Sequence, residues 1–417
     1  MKVLVLGSGA REHAIGWKFS KSKRISGLYI APGNAGTDEI GENLPGLNPL
    51  DHQAVVDICV EKKIDLVFVG PEDPLAAGIV DRLTQEKIPV FGPHKAAAEL
   101  ESSKAFAKRF MDRHGIPTAE AWEFESASDF EGFMKKHTQR VVVKKSGLAG
   151  GKGVLDSESV EELVRFGRKA LQDDRIVVEE HLKGIELSLF ALTDGTSHVV
   201  LPVCADFKKA GENDEGKNTG GMGAVCPVPV VDAKLIDSIT ATIIDPTFTA
   251  LAAEGLTYRG VLFFGLMVTD AGPRLLEFNV RFGDPETQVL IPLIDSDFGS
   301  LCESVVQGKL QDFPLHVSSK TALAVVVASK GYPDNHKTGI PVKPLPTFPE
   351  SEVLIFHSAT KVNGAGQILT GGGRCFTVVG IGSNLLASNE RAYEAASRIE
   401  FEGAWCRRDI GKKFFID

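Results

Sequence analysis

Cysteine is sparse: six residues in 417 (Cys59, Cys204, Cys226, Cys302, Cys375, Cys406), with no CxxC pair among them. That leaves ordinary reduced core thiols of a cytosolic protein. Long apolar runs are lacking too. The longest, Val261 to Val268, falls far short of the ~20 residues of a membrane-spanning helix. The opening run Val3-Leu4-Val5-Leu6 meets Gly7 and then Arg11 and Glu12, which is not a secretory signal. Positive charge is short, with 46 Lys and Arg against 55 Asp and Glu and a net charge of -9. A broad nucleic-acid footprint is excluded. Any bound phosphate must be held locally, by lysines, backbone amides and metal. No internal repeat or low-complexity linker occurs.

What is present is globular. Hydrophobic residues make up 43% and charged residues 24%, and the length predicts two to four domains. Lys2 to Leu6 reads as a buried parallel strand entering a glycine turn and a helix. Apolar runs follow at Gly27–Ile30, Leu66–Val69 and Pro89–Phe91 with helical patterns between them, which predicts a doubly wound sheet over about the first hundred residues. Ser102 to Arg113 is helical, and Gly115-Ile116-Pro117 breaks it. A small α+β lobe follows, with strands at Val141–Val143 and Ile176–Glu179 and a helix near Ser159–Leu171. Longer strands between Glu186 and Ile294 predict an antiparallel sheet with one long helix near Leu235–Glu254. From about Ser319 the tail reads as a separate small β-rich unit.

Three glycine clusters carry chemistry. Gly7-Ser8-Gly9 after the first strand opens like a dinucleotide fingerprint, but Glu12 occupies the third glycine position and would obstruct packing against a pyrophosphate. Capture of a single phosphate, or a purely structural turn, remain open. Lys144-Lys145-Ser146-Gly147-Leu148-Ala149-Gly150-Gly151-Lys152-Gly153 lacks the Walker GxxxxGK[ST] spacing. It fits a hairpin that lowers its amides over phosphates while Lys144 supplies charge from the strand. Asn218-Thr219-Gly220-Gly221-Met222-Gly223 permits close backbone approach, as a substrate-contacting loop requires.

In the strand Arg274–Arg281, alternation puts Glu277, Asn279 and Arg281 on one face and Leu276, Phe278 and Val280 on the other. A carboxylate, an amide oxygen and a guanidinium in a row suit magnesium bridging nucleotide phosphates, with arginine on the transferred group.

Strand lysine, glycine hairpin, Glu179-Glu180-His181-Leu182 with Gly184-x-Glu186, and Glu277-x-Asn279 together resemble the ATP-grasp ligases. Further motifs narrow the match: Gly7 to His13, Pro32 to Thr37, Gly70 to Leu75, Asn218 to Gly223 and Arg281 to Thr287. With His357–Thr360 and Gly371–Arg374 in the tail, the chain is similar over essentially its whole length to the phosphoribosylamine–glycine ligase family. The resemblance implies an α/β and α+β multidomain protein. Its N-terminal doubly wound domain would be 1–101, its ATP-grasp domain 102–318 with a mobile lid at about 118–185, and its small β-rich C-terminal domain 319–417.

It further implies ATP-dependent joining of glycine to 5-phosphoribosylamine through glycyl phosphate, in purine biosynthesis, with Mg2+ or Mn2+. The protein would be a cytoplasmic monomer without nucleic-acid or membrane partners. By motif matching, ATP would be bound by Lys104, Lys144, Gly150, Gly151, Lys152, Glu179, Glu180, Leu182, Glu186 and Lys208. The metal falls to Glu277 and Asn279. The substrate pocket falls to Gly9, Asn34, Pro71, Glu72, Asn218, Thr219, Gly220 and Gly221, and acyl transfer to Arg281 and Asp284. The chain departs from the family pattern at Lys145, Ser146, Phe207, Val225 and Ala359. Rival readings are another ATP-grasp synthetase or carboxylase, a nucleotide sensor without turnover, and an oxidoreductase, which Glu12 opposes.

Overall fold

The computed structural model describes residues 1–150 and 152–415. Five parallel strands lie in the order Glu42–Asn43, Gly27–Pro32, Lys2–Gly7, Leu66–Val69, Val90–Pro93. Val3, Leu4, Val5 and Leu6 are all fully buried, as expected where helices cover both faces of a parallel sheet. Their side chains alternate between two cores: Leu4 and Leu6 join one, Val3 and Val5 the other.

This sheet does not end at Val90–Pro93. Its edge pairs antiparallel with the start of Tyr258–Thr269, Tyr258 opposite Pro93 and Arg259 opposite Gly92. Gly92 and Gly260 make the approach possible, because a Cβ on Gly260 would lie 3.2 Å from the Gly92 backbone. Tyr258–Thr269 pairs in turn with Ile185–Thr193 and Gly272–Asn279. Over the described residues the result is one nine-stranded sheet shared by the N-terminal and central regions. The central region's long helix runs from Ala233 to Ala253. It is long and apolar enough on length and composition to cross a bilayer, but Ile239, Ile243, Ile244, Ala250 and Leu251 pack into the protein core.

A second, four-stranded sheet joins Ala121–Phe124, Ile176–Glu180, Val141–Lys145 and Val154–Asp156. With the helices Ala127–Lys136 and Val160–Ala170 it encloses a core of its own around Phe130, Val143, Leu163 and Val178. The tail strands Thr321–Ala328, Val353–His357 and Arg374–Gly382 form a third sheet, extended by Gly223–Cys226 and Ala205–Asp206 from the middle of the chain. The sequence pattern suggests a tail unit with strands of its own. The structure completes it with two strands whose register no local pattern reveals.

One local expectation changes. A bulge in the Tyr258–Thr269 and Gly272–Asn279 pair sets Gly265 opposite Glu277 and Leu266 opposite Leu275, leaving Leu276 as the extra residue. Strict alternation therefore fails there, and Leu276 turns into the same cleft as Glu277 while Leu275 takes the core position.

Candidate active site

A cleft of about 930 Å³ opens between the four-stranded lobe, the central sheet and the N-terminal sheet. It is lined by Lys104, Lys144, Gly150, Glu179, Glu180, Leu182, Glu186 and Lys208, and by Glu72, Asn218, Thr219, Gly220, Glu277, Asn279, Arg281 and Asp284. Residues far apart in sequence thus meet in one space. Gly9, Asn34, Pro71, Lys152 and Gly221 are not part of that lining, and Gly151 lies outside the described residues.

At one end stand the lysines. The Lys144 Nζ donates to Glu179 Oε2 at 2.9 Å in buried surroundings. Lys108 Nζ lies 3.3 Å from the same oxygen and donates to Thr118 Oγ1 at 2.6 Å. Burial, reinforced by Lys144, outweighs Glu179 and lowers the Lys108 ammonium to about 8. Sequence reading missed Lys108, although it follows Lys104 by one turn on the helix Lys104–Arg113. Lys208 pairs with Glu186. The apolar side chains of Leu182, Met267 and Leu276 line the cleft beside these charges, a surface suited to a flat ring. The lobe's glycine segment is tied at its root: Lys104 N–H donates to Ser146 O at 2.9 Å, and Gly147 N–H to Asp174 Oδ2 at 2.6 Å.

In the middle, Glu277 faces Lys208, Lys144, Lys104 and Arg281. Burial alone would raise its carboxyl, but these cations hold it below the usual range. Asn279 Oδ1 accepts from Arg281 Nη2 at 3.3 Å. An ionised carboxylate beside an amide oxygen is the hard oxygen set that magnesium takes. Among the described residues no three His, Cys, Asp or Glu side chains cluster as a metal cage, so substrate oxygens would complete the shell. Two further acids stand here: Asp206, which no motif marks, and Glu286, which lies in the Arg281–Thr287 motif without an assigned role. Burial raises both carboxyls despite the nearby Lys208, and Glu286 Oε1 accepts from the Ser188 hydroxyl at 3.0 Å.

At the other end Arg281 is gripped by two carboxylates. Glu72 Oε2 accepts from its Nε at 3.1 Å, and Glu101 Oε1 lies 2.7 Å from Nη2. Burial works against charging Glu72, yet Arg281 and Arg11 bring its carboxyl down to about 2. Glu101 also accepts from the Val280 N–H at 2.8 Å. Nothing local in the sequence signals Glu101, because its partners are remote in the chain. Asp284 Oδ1 accepts from Gln288 Nε2 at 2.8 Å. Its other oxygen lies beneath the first glycine turn, 3.7 Å from where a Cβ on Gly9 would sit.

That turn is already engaged. Glu12 folds back so that its Oε2 accepts from the Gly9 N–H at 2.7 Å, and Arg11 Nε donates to its other oxygen at 2.6 Å. The carboxylate fills the space that a Cβ at Gly7 or Gly70 would need. Glu12 is therefore the internal cap of the helix Ala10–Ser20, and the Gly9 amide is not free for a phosphate. Asn34 is a bracket as well. Its Nδ2 donates to Ser8 O at 2.8 Å and His357 O at 2.9 Å, while its Oδ1 accepts from the N–H groups of Gly36 and Thr37.

Known proteins resemble the chain over nearly its whole length. The chain matches the phosphoribosylglycinamide synthetase N domain over residues 1–101, its ATP-grasp (A) domain over 102–287 and its C domain over 322–413. It is 41% identical to the phosphoribosylamine–glycine ligase of Rhodopirellula baltica, covering 99% of this chain and 98% of that one. The chain belongs to the phosphoribosylamine–glycine ligase family. A second member of the phosphoribosylamine–glycine ligases, from Chlorobaculum tepidum, is 42% identical, with 99% of this chain and all of that one covered. The human trifunctional purine biosynthetic protein adenosine-3 is 42% identical over 98% of this chain, which spans 42% of that protein. The crystal structure of phosphoribosylamine–glycine ligase from Thermotoga maritima superposes with a TM-score of 0.85 at 36% identity, covering 99% of this chain and 100% of that one. A biotin carboxylase from Campylobacter jejuni, with a TM-score of 0.72 at 14% identity, shares the ATP-grasp fold alone.

Proposed function

We propose that the chain ligates glycine to 5-phosphoribosylamine, with ATP cleaved to ADP and phosphate, as the glycinamide ribonucleotide step of purine biosynthesis. The observation that carries this reading is the convergence in one cleft of the lysine cluster, the Glu277–Asn279 oxygen pair and the Glu72–Arg281–Asp284 group.

A carboxylate is a poor electrophile because oxide cannot leave, whereas phosphate can. In the first step a glycine carboxylate oxygen attacks the γ-phosphorus, forming a P–O bond as the bond to ADP breaks. Lys104, Lys144 and Lys208 bind and orient the phosphates, which such a transfer needs more than a protein nucleophile. ATP-grasp enzymes work with ATP and a divalent metal. Here Glu277 and Asn279 would hold Mg2+ or Mn2+, which supplies neutralisation of phosphate charge. In the second step the amine nitrogen attacks the acyl carbon, a C–N bond forms, phosphate leaves with the electron pair, and the nitrogen loses a proton. Arg281, kept charged by Glu72 and Glu101, faces the developing negative charge, and Asp284 beneath the glycine turn orients the amine. The four-stranded lobe closes over the acyl phosphate and excludes water. We assign the enzyme as a cytoplasmic monomer.

The test measures ADP with magnesium, ATP and glycine, phosphoribosylamine being generated in place from ribose 5-phosphate and ammonia. ADP release that needs both co-substrates, with a matching glycinamide ribonucleotide mass, is the expected result. ADP release indifferent to both would sink the substrate assignment.

A further inference from the structure

We infer that Arg374, delivered by the C-terminal sheet, is a positioning residue for the amine-ligation step. The inference rests on the ligase reading above. Arg374 opens the strand Arg374–Gly382, and its guanidinium lies at the edge of the cleft. Nη1 donates to the carbonyl oxygens of Gly220, of Gly221 at 3.3 Å and of Asp284 at 3.2 Å. Nη2 donates to Asp284 Oδ2 at 3.2 Å. With Gln288 on the other oxygen, both lone-pair sides of the Asp284 carboxylate are fixed, one from within its own turn and one from a distant sheet.

The same sheet region holds the facing loop from its other side. The Gly220 N–H donates to the Tyr332 hydroxyl at 3.0 Å, so one peptide residue is gripped through its N–H by Tyr332 and its C=O by Arg374. The glycines are the counterpart of that grip. A Cβ on Gly220 would lie 3.0 Å from Arg374 Cζ, and one on Gly373 would lie 2.1 Å from the Tyr332 ring. Gly221 has φ +103, and a Cβ there would lie 2.4 Å from Pro285 Cδ. From this point the restraint runs inward. The Gly221 N–H donates to Thr219 Oγ1 at 3.0 Å, and that hydroxyl donates to Lys208 O at 2.8 Å.

Only a planar fork with several N–H groups spans three carbonyls and a carboxylate at once; a lysine ammonium reaches fewer. Arg374 therefore sets the distance between the Gly220–Gly221 wall and the Asp284 carboxylate, the two surfaces that flank the amine. It acts through them, and its hydrogen bonds go to Gly220, Gly221 and Asp284 rather than to Glu277 or Asn279.

The experiment compares wild type, Arg374→Ala, Arg374→Lys and Tyr332→Phe, measuring kcat/KM for phosphoribosylamine, the dissociation constant for ATP, and the effect of added guanidinium ion. Misplacing reacting groups by about 1 Å costs about 10²-fold in rate. Arg374→Ala should lose about that factor in kcat/KM for phosphoribosylamine, with ATP binding unchanged. Guanidinium ion should restore part of the loss in Arg374→Ala, and Arg374→Lys should stay impaired. Tyr332→Phe deletes one oxygen and should lower the same parameter by a smaller factor, which keeps the test decisive if Arg374→Ala does not fold. An active wild type alongside unimpaired Arg374 and Tyr332 variants overturns the positioning role. Equal losses in ATP binding and phosphoribosylamine turnover overturn it too. An inactive wild type instead overturns the ligase reading itself.

Discussion

Glu277, near the end of the strand Gly272–Asn279, and Arg281, two residues past it, have opposite neighbours. Cations surround Glu277 and keep it ionised, while Glu72 and Glu101 surround Arg281 and keep it charged. Each is a partly buried charge whose desolvation is offset by partners from other segments. Removing the carboxylate should disarm the phosphoryl-transfer step. Glu277→Ala is expected to lower kcat by about 10²–10³-fold, read as ADP release at saturating ATP and magnesium. Full activity in that variant would take Glu277 out of the metal site.

The four-stranded lobe is an element with its own core, and its stability is separable from the rest. Phe130 is fully buried there, and the small Gly167 makes room for it, since a Cβ would come within 2.3 Å of its ring. Phe130→Ala should cost the lobe about 3–5 kcal/mol through lost burial and a cavity. Hydrogen exchange would read this as lost protection in Val141–Lys145 and Ile176–Glu180, with Lys2–Gly7 unaffected, and KM for ATP should rise. Uniform loss of protection across both regions would refute the independence of the lobe. The helix start at Lys104 and Ala105 ties the lobe's Ser146 to the body.

At the scale of the molecule, the N-terminal and C-terminal regions meet through a pair of buried histidines. The His357 N–H donates to His13 Nδ1 at 2.9 Å, which requires an unprotonated nitrogen. Burial, with the neighbouring His357, lowers His13 to about 3, and burial lowers His357 to about 4. Both are depressed below the ordinary value of 6.5, so the unfolded chain takes up protons first. Their contribution is full above pH ~6.5 and is lost as pH falls toward the folded values. Thermal scans should give a Tm that declines below about pH 6.5, and His13→Asn, which retains an acceptor, should flatten that decline. An unchanged slope would remove the pair from the acid response.

Local residue patterns alone determined much. The buried run Val3–Leu6, the missing third glycine at Glu12, the strand bearing Glu277 and Asn279, and the glycine hairpin after Lys144 all follow from short-range periodicity and turn chemistry. Those rules act between near neighbours, and they held where neighbours decide. Three features lay beyond them: the bulge that turns Leu276 into the cleft, the two central strands completing the tail's sheet, and the grips of Glu101 on Arg281 and of Arg374 on Asp284. The shared strands and the two grips pair groups far apart in sequence, whereas the bulge depends on how its hairpin packs into the central sheet. Their energies come from desolvation and hydrogen bonding that exist only once the sheets are assembled, so tertiary structure alone decided them.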